Sequence, residues 1–93
     1  MADLLSDEEI ASRLEGSEWK RDGDEIVLDR KLKDFAAAIA FVNRVAELAE
    51  AANHHPDILL HGWNKVRLSL TNHSAGGLTE PDFEMARTFD QLA

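Results

Sequence analysis

Imidazole is the one side chain whose unperturbed pKa, about 6.5, lets it give or take a proton near neutrality. Three of the four histidines in this chain fall where predicted elements end: His54 and His55 at the exit of a long helix, and His73 just beyond a strand that stops near Thr71. Element ends are where sites form. Pro56 pushes His55 out of the helical region towards an extended conformation, so the two adjacent rings point in different directions and are not expected to share one role. Two positioned imidazoles can divide acid and base work between them. A histidine taken singly is more often a surface or hydrogen-bonded residue, so the pattern has to carry the reading.

The companions of these histidines each have a plainer reading. Glu50 can be a solvated helix residue, and Asp82 can cap the helix it opens, where a carboxylate meets orphan N–H groups and the positive end of the dipole. Trp19 and Trp63 can be core. His61, beside Gly62 in a turn, reads as a surface residue. A metal site built from His54, His55, His61, His73 and Asp57 is the chemical rival. Adjacent histidines in an extended segment diverge, no His-x-x-x-His pair stands on a helix and the chain has no cysteine, so no metal and no cofactor are expected.

Ser6-Asp7-Glu8-Glu9 has the form of a capping box, and Ile10 and Leu14 follow at helical spacing; a first helix is expected from about Asp7 to Glu15, ended by Gly16. Trp19 to Arg21 and Glu25 to Leu32 flank the turn signal Asp22-Gly23-Asp24, which makes a hairpin. Asp34 is a good N-cap for a long helix from Phe35 to about Ala52. Phe35, Ile39, Val42, Ala46 and Ala49 share one stripe of it and Phe41, Val45, Leu48 and Ala52 a second. Together they cover about half the circumference, more than one core requires, so packing against another subunit is as well supported as burial in the domain. Asp57 to Leu60 and Asn64 to Thr71 form a second hairpin, with Val66, Leu68 and Leu70 facing inward. Ser74-Ala75-Gly76-Gly77 is expected to be a flexible connection. Thr79 then caps a last helix, with Pro81 in its first turn and Phe83, Ala86 and Phe89 on its buried side. The order α-β-β-α-β-β-α implies an α+β two-layer sandwich: one four-stranded antiparallel sheet with helices on one face.

The 93 residues are expected to form one domain. With 44% apolar and 30% charged residues the chain should fold, and without disulfides a domain this small gains stability by association. A net charge of −8 and the lack of a Lys/Arg cluster disfavour direct nucleic-acid binding. The opening residues have neither a basic start nor a long apolar run, and no stretch approaches the roughly 20 apolar residues that span a bilayer. The expectation is a soluble cytoplasmic protein with no membrane partner.

Glu50-x-x-x-His54-His55-Pro56, six residues, Trp63, nine residues, His73, eight residues and Asp82 resembles, at every position, the signature of the pterin-4a-carbinolamine dehydratases. Lys33-Asp34-Phe35, Asn43-Arg44-Val45-Ala46, Asn64-Lys65-Val66 and Gly77-Leu78-Thr79-Glu80 are similar to that family too, and Trp19 falls where it commonly has a tryptophan. Asn53, where animal relatives often carry an aspartate, and Pro81, where many members have an arginine, depart from it. The resemblance implies dehydration of 4a-hydroxy-tetrahydrobiopterin, or a related pterin, to the quinonoid dihydropterin after an aromatic amino-acid hydroxylase has used its cofactor. It implies His54 and His73 as acid/base candidates, with His55 lining and orienting the site. It implies Glu50, Asn53, Pro56, Thr71 and Asn72 as pterin contacts, Asp82 as the residue that fixes a histidine tautomer, and Trp19 and Trp63 as apolar walls. It also implies a homo-oligomer, dimer or tetramer, the dimer extending the sheet and the tetramer packing long helices together. Animal members bind a homeodomain transcription factor as well, so a non-catalytic interaction module is the alternative.

Overall fold

The computed structural model describes residues 3–92. Local chemistry starts each helix. The Ser6 hydroxyl accepts from the Glu9 N–H and the Glu9 carboxylate accepts from the Ser6 N–H, both at 3.1 Å, which opens α1 (Asp7–Leu14). The Asp34 carboxylate accepts from the Ala37 N–H at 2.7 Å and opens α2 (Phe35–Ala52), which contains no Gly or Pro to interrupt it. Thr79 is the N-cap of α3 (Glu80–Asp90), with Pro81 in the first turn. Between the helices lie β1 (Lys20–Asp22), β2 (Glu25–Lys31), β3 (Asp57–His61) and β4 (Lys65–Leu70). The predicted α-β-β-α-β-β-α order is the observed one.

The strands form one antiparallel sheet in the order β1-β2-β4-β3, so the two hairpins meet through β2 and β4, from Ile26 opposite Leu70 to Lys31 opposite Lys65. Alternation sets the register: Ile26, Leu28, Val66, Leu68 and Leu70 are buried, while Asp29, Lys65 and Arg67 on the other face are exposed. A slip of one residue would exchange the faces, and each large apolar side chain kept inside is worth about 1.5–3 kcal/mol. Facing that side of the sheet are Ala38, Phe41, Val45 and Ala49 of α2 and Phe83, Ala86 and Phe89 of α3.

Two expectations change. Of the two apolar stripes on α2, the one through Phe41 and Val45 is core, with Leu48 partly buried; in the other, Ala49 is buried and Val42 partly so, while Phe35 and Ile39 stand 52% and 39% exposed and Ala46 is exposed. One sheet face and one neighbouring helix cannot cover half the circumference of α2. The segment after His73 is no open connection: Asn72 and Gly77 exchange backbone hydrogen bonds, and the Asn72 side chain accepts from the Ala75 N–H at 3.1 Å. Gly76 has φ +82°, a conformation a residue with a Cβ rarely adopts, so the sequence can close this turn.

Candidate functional site

Helix α2 ends because Asn53 turns into the left-handed region, at φ 51° and ψ 41°, and its N–H returns to the carbonyls of Ala49 and Glu50. Asparagine tolerates this conformation better than most residues. The His54 N–H then bonds the Ala49 carbonyl at 3.1 Å, and the chain leaves the helix with His54 half-buried and His55 exposed. Pro56 follows as the residue before β3. The two rings diverge as expected and take different partners.

His54 Nε2 lies 2.7 Å from Asp82 Oδ1. Asp82 is fully buried at the start of α3, and its other oxygen, Oδ2, accepts from the Thr79 N–H at 2.8 Å and from the Thr79 hydroxyl at 3.0 Å. A carboxylate accepts hydrogen bonds and cannot donate them. Nε2 of His54 therefore carries the hydrogen, and Nδ1 is the ring nitrogen that remains for other chemistry. Asp82 thus contacts both the start of its own helix and His54, one oxygen for each. His55 Nε2 instead bonds the Glu50 carboxylate, five residues back on α2, on the exposed surface.

The third histidine arrives from the other side. Strand β4 ends at Leu70, and the Thr71 hydroxyl donates to the Asp24 carbonyl in the β1–β2 turn. The closed turn that follows carries His73, which is exposed. Asn53, His54, His55, Thr71, Asn72, His73 and Ser74 line one open groove of about 290 Å³. The structure thus brings together the three histidines, Asn53, Thr71 and Asn72, with Asp82 behind His54 and Glu50 beside His55.

Neither tryptophan reaches this groove within one chain, which corrects the expectation that they wall it. Trp19 is 2% exposed, with its indole N–H donating to Asp90 at the far end of α3 from Asp82. It is a core residue. Trp63 sits in the β3–β4 turn at φ 61° and is 60% exposed; the whole of β3 separates it from His55. Ser74 and Thr79 are site neighbours that the sequence reading did not single out. The signal for Thr79 was present: Thr-x-x-Asp has the capping-box spacing, which puts the threonine backbone and hydroxyl next to the aspartate. Among the described residues, no group of three or more His, Cys, Asp or Glu side chains is disposed to hold a metal ion.

The family profile described as pterin 4 alpha carbinolamine dehydratase matches residues 3–92. A protein of Cyanothece sp. named as a candidate pterin-4-alpha-carbinolamine dehydratase is 53% identical over 94 residues, covering 100% of this chain and 96% of its own. One of Nocardia farcinica with the same name is 52% identical and covers 98% of this chain and 96% of its own. A crystal structure described as a transcriptional coactivator/pterin dehydratase from Brucella melitensis superposes with a TM-score of 0.87 at 32% identity, over 95% of this chain and 96% of that one. A pterin dehydratase-like protein identified as a RuBisCO assembly factor in the alpha-carboxysome shares the fold, with a TM-score of 0.66 at 24% identity over 78% of this chain and 86% of that one.

Proposed function

The chain belongs to the pterin 4 alpha carbinolamine dehydratase family, and on that premise we propose that it is a hydro-lyase that removes water from a 4a-hydroxy-tetrahydropterin by histidine acid/base catalysis. The observation that carries this reading is the His54–Asp82 pair at the edge of a groove that His73 also lines. His54, with Nε2–H held by Asp82, offers Nδ1 as the base for the proton on N5 of the pterin. The N5–H electrons form the C4a–N5 double bond as the C4a–O bond breaks. His73 gives a proton to the leaving hydroxyl, which departs as water. One proton is taken and one is given, so solvent exchange restores both rings. Asp82 also holds the imidazole in one orientation, as in other aspartate–histidine pairs.

His55 lines the groove with Glu50 bonded to it, and the two serve to orient the pterin. Asn53, Thr71 and Asn72 complete its walls, and Pro56 sets the backbone course beside His55. The product on this reading is a quinonoid dihydropterin, and the proposed role is recycling of the pterin used by aromatic amino-acid hydroxylases. The groove is open, in keeping with a flat bicyclic substrate that enters edge-on. The chain is further proposed to act as a homo-oligomer.

A second reading is a binding module of the same fold, supported by the apolar side chains that remain exposed, Phe35, Ile39 and Leu59 among them. Turnover separates the two. In stopped-flow mixing with synthetic 4a-hydroxy-tetrahydropterin, the wild-type chain is expected to accelerate formation of the quinonoid product. His54→Ala and His73→Ala are each expected to lose about 10²- to 10⁴-fold, the usual contribution of one positioned acid or base. A folded wild-type chain that leaves the spontaneous rate unchanged would overturn the enzyme reading in favour of the module.

A further inference from the structure

We propose that Thr79 is a positioning residue for this site: its hydroxyl locks the Asp82 carboxylate in the rotation that presents Oδ1 to His54. The terminal torsion of an aspartate joins an sp³ to an sp² carbon and is intrinsically broad. A single donor on Oδ2 would leave the carboxylate free to swing about that contact. Two donors from one residue, the Thr79 N–H at 2.8 Å and the Thr79 hydroxyl at 3.0 Å, fix its plane. The opposite oxygen then meets His54 Nε2 at 2.7 Å.

Thr79 is itself held on two sides. It is fully buried, pairs with Leu4 across an isolated bridge, and is preceded by Leu78, whose carbonyl accepts from the Leu5 N–H at 2.9 Å. Its hydroxyl also lies 3.5 Å from the Asn72 side-chain amide, at the long limit of a hydrogen bond. Asn72 begins the turn that carries His73. The amide, the hydroxyl, the carboxylate and the imidazole thus form one chain of donors aimed at acceptors, running from the His73 turn to His54. The Thr79 N–H donates the capping bond to Asp82 Oδ2, and the hydroxyl gives the same oxygen a second donor.

The proposal rests on the dehydratase reading only for its kinetic arm, since the tautomer of His54 can be observed without substrate. Thr79→Val keeps the shape and removes the donor; Thr79→Ser keeps the donor and removes the methyl group. Histidine side-chain ¹⁵N NMR should show a fixed Nε2–H tautomer of neutral His54 in the wild-type and serine chains and a mixture of tautomers in the valine chain. The kcat of Thr79→Val should fall roughly tenfold or more, the usual cost of losing an outer-shell orienting bond, with KM nearly unchanged and Thr79→Ser close to wild type. If valine does not fold, Thr79→Ala, which also has no side-chain donor, takes its place with the same outcomes. A donor-free chain that keeps the fixed tautomer and wild-type kcat would overturn the proposal, as would a serine chain as impaired as the valine one. A wild type without turnover but with the expected tautomer pattern would sink the enzyme reading and leave the positioning role standing.

Discussion

At Asp82 a single atom decides the tautomer. Both Thr79 donors occupy Oδ2 and His54 occupies Oδ1, so the two oxygens are not interchangeable. Asp82→Asn makes this testable. The two Thr79 donors need an acceptor, so the new amide must turn its oxygen towards them and its NH₂ group towards His54. Nε2 then has to accept, and the ring hydrogen moves to Nδ1, the nitrogen proposed as the base. The expected result is a loss of about 10²- to 10⁴-fold in kcat with the fold kept, since the cap is preserved. A variant with wild-type turnover would remove Asp82 from the mechanism. The partners at this scale were legible because adjacency and spacing along the chain place them: His54-His55-Pro56 at a helix exit, and Asp82 in a first helical turn. The tryptophans were not. Their side chains are large and apolar enough for either a core or a wall, and only the sheet decides which end of a hairpin they occupy.

At the level of the elements, what holds the frame is the pairing of β2 with β4, and its outer face carries one well-formed ion pair. Arg67 grips Asp29 with two bonds, Nε to Oδ1 at 2.8 Å and Nη2 to Oδ2 at 3.2 Å. The Arg67 hydrogen bond holds the Asp29 carboxyl below its usual value of 3.8, with burial opposing and the charges of Arg67 and His61 assisting. A carboxyl whose folded pKa is depressed stabilises the fold above its unfolded pKa, and that contribution is lost as the pH falls through the folded value. Urea unfolding of wild type and Asp29→Asn should therefore show wild type more stable at pH 7, with the gap closing in acid below the usual aspartate value. A gap that stays constant from neutral to acid pH would mean that the pair's charge contributes nothing. The helices and hairpins were legible because caps and alternation are local: Ser6, Asp34 and Thr79 each mark a start, and Val66, Leu68 and Leu70 mark a face. The closed turn from Asn72 to Gly77 was not, because its order comes from backbone bonds that two adjacent glycines do not announce.

For the whole molecule, the unresolved balance is apolar surface. A sheet with helices on one side buries one stripe of α2 and leaves Phe35 and Ile39 facing out, and Leu59 is 52% exposed on the edge strand β3. The sequence pattern already showed more apolar arc on α2 than one core can use; it could not say which stripe would be left over, since that depends on where the sheet lies. Large exposed side chains in so small a chain are costly unless another surface covers them. Phe35 and Ile39 occupy the first turns of α2, where acidic side chains are favoured by the helix dipole, so Phe35→Glu with Ile39→Glu can remove the apolar stripe without weakening the helix. Sedimentation of the wild-type chain is expected to give a mass above that of one chain. The double variant should give a smaller species with unchanged circular dichroism. A wild type that sediments as a single chain would show that this stripe is not covered by self-association. A double variant of undiminished mass would move the contact away from α2 and towards the β3 edge, where a partner strand could pair with the exposed backbone.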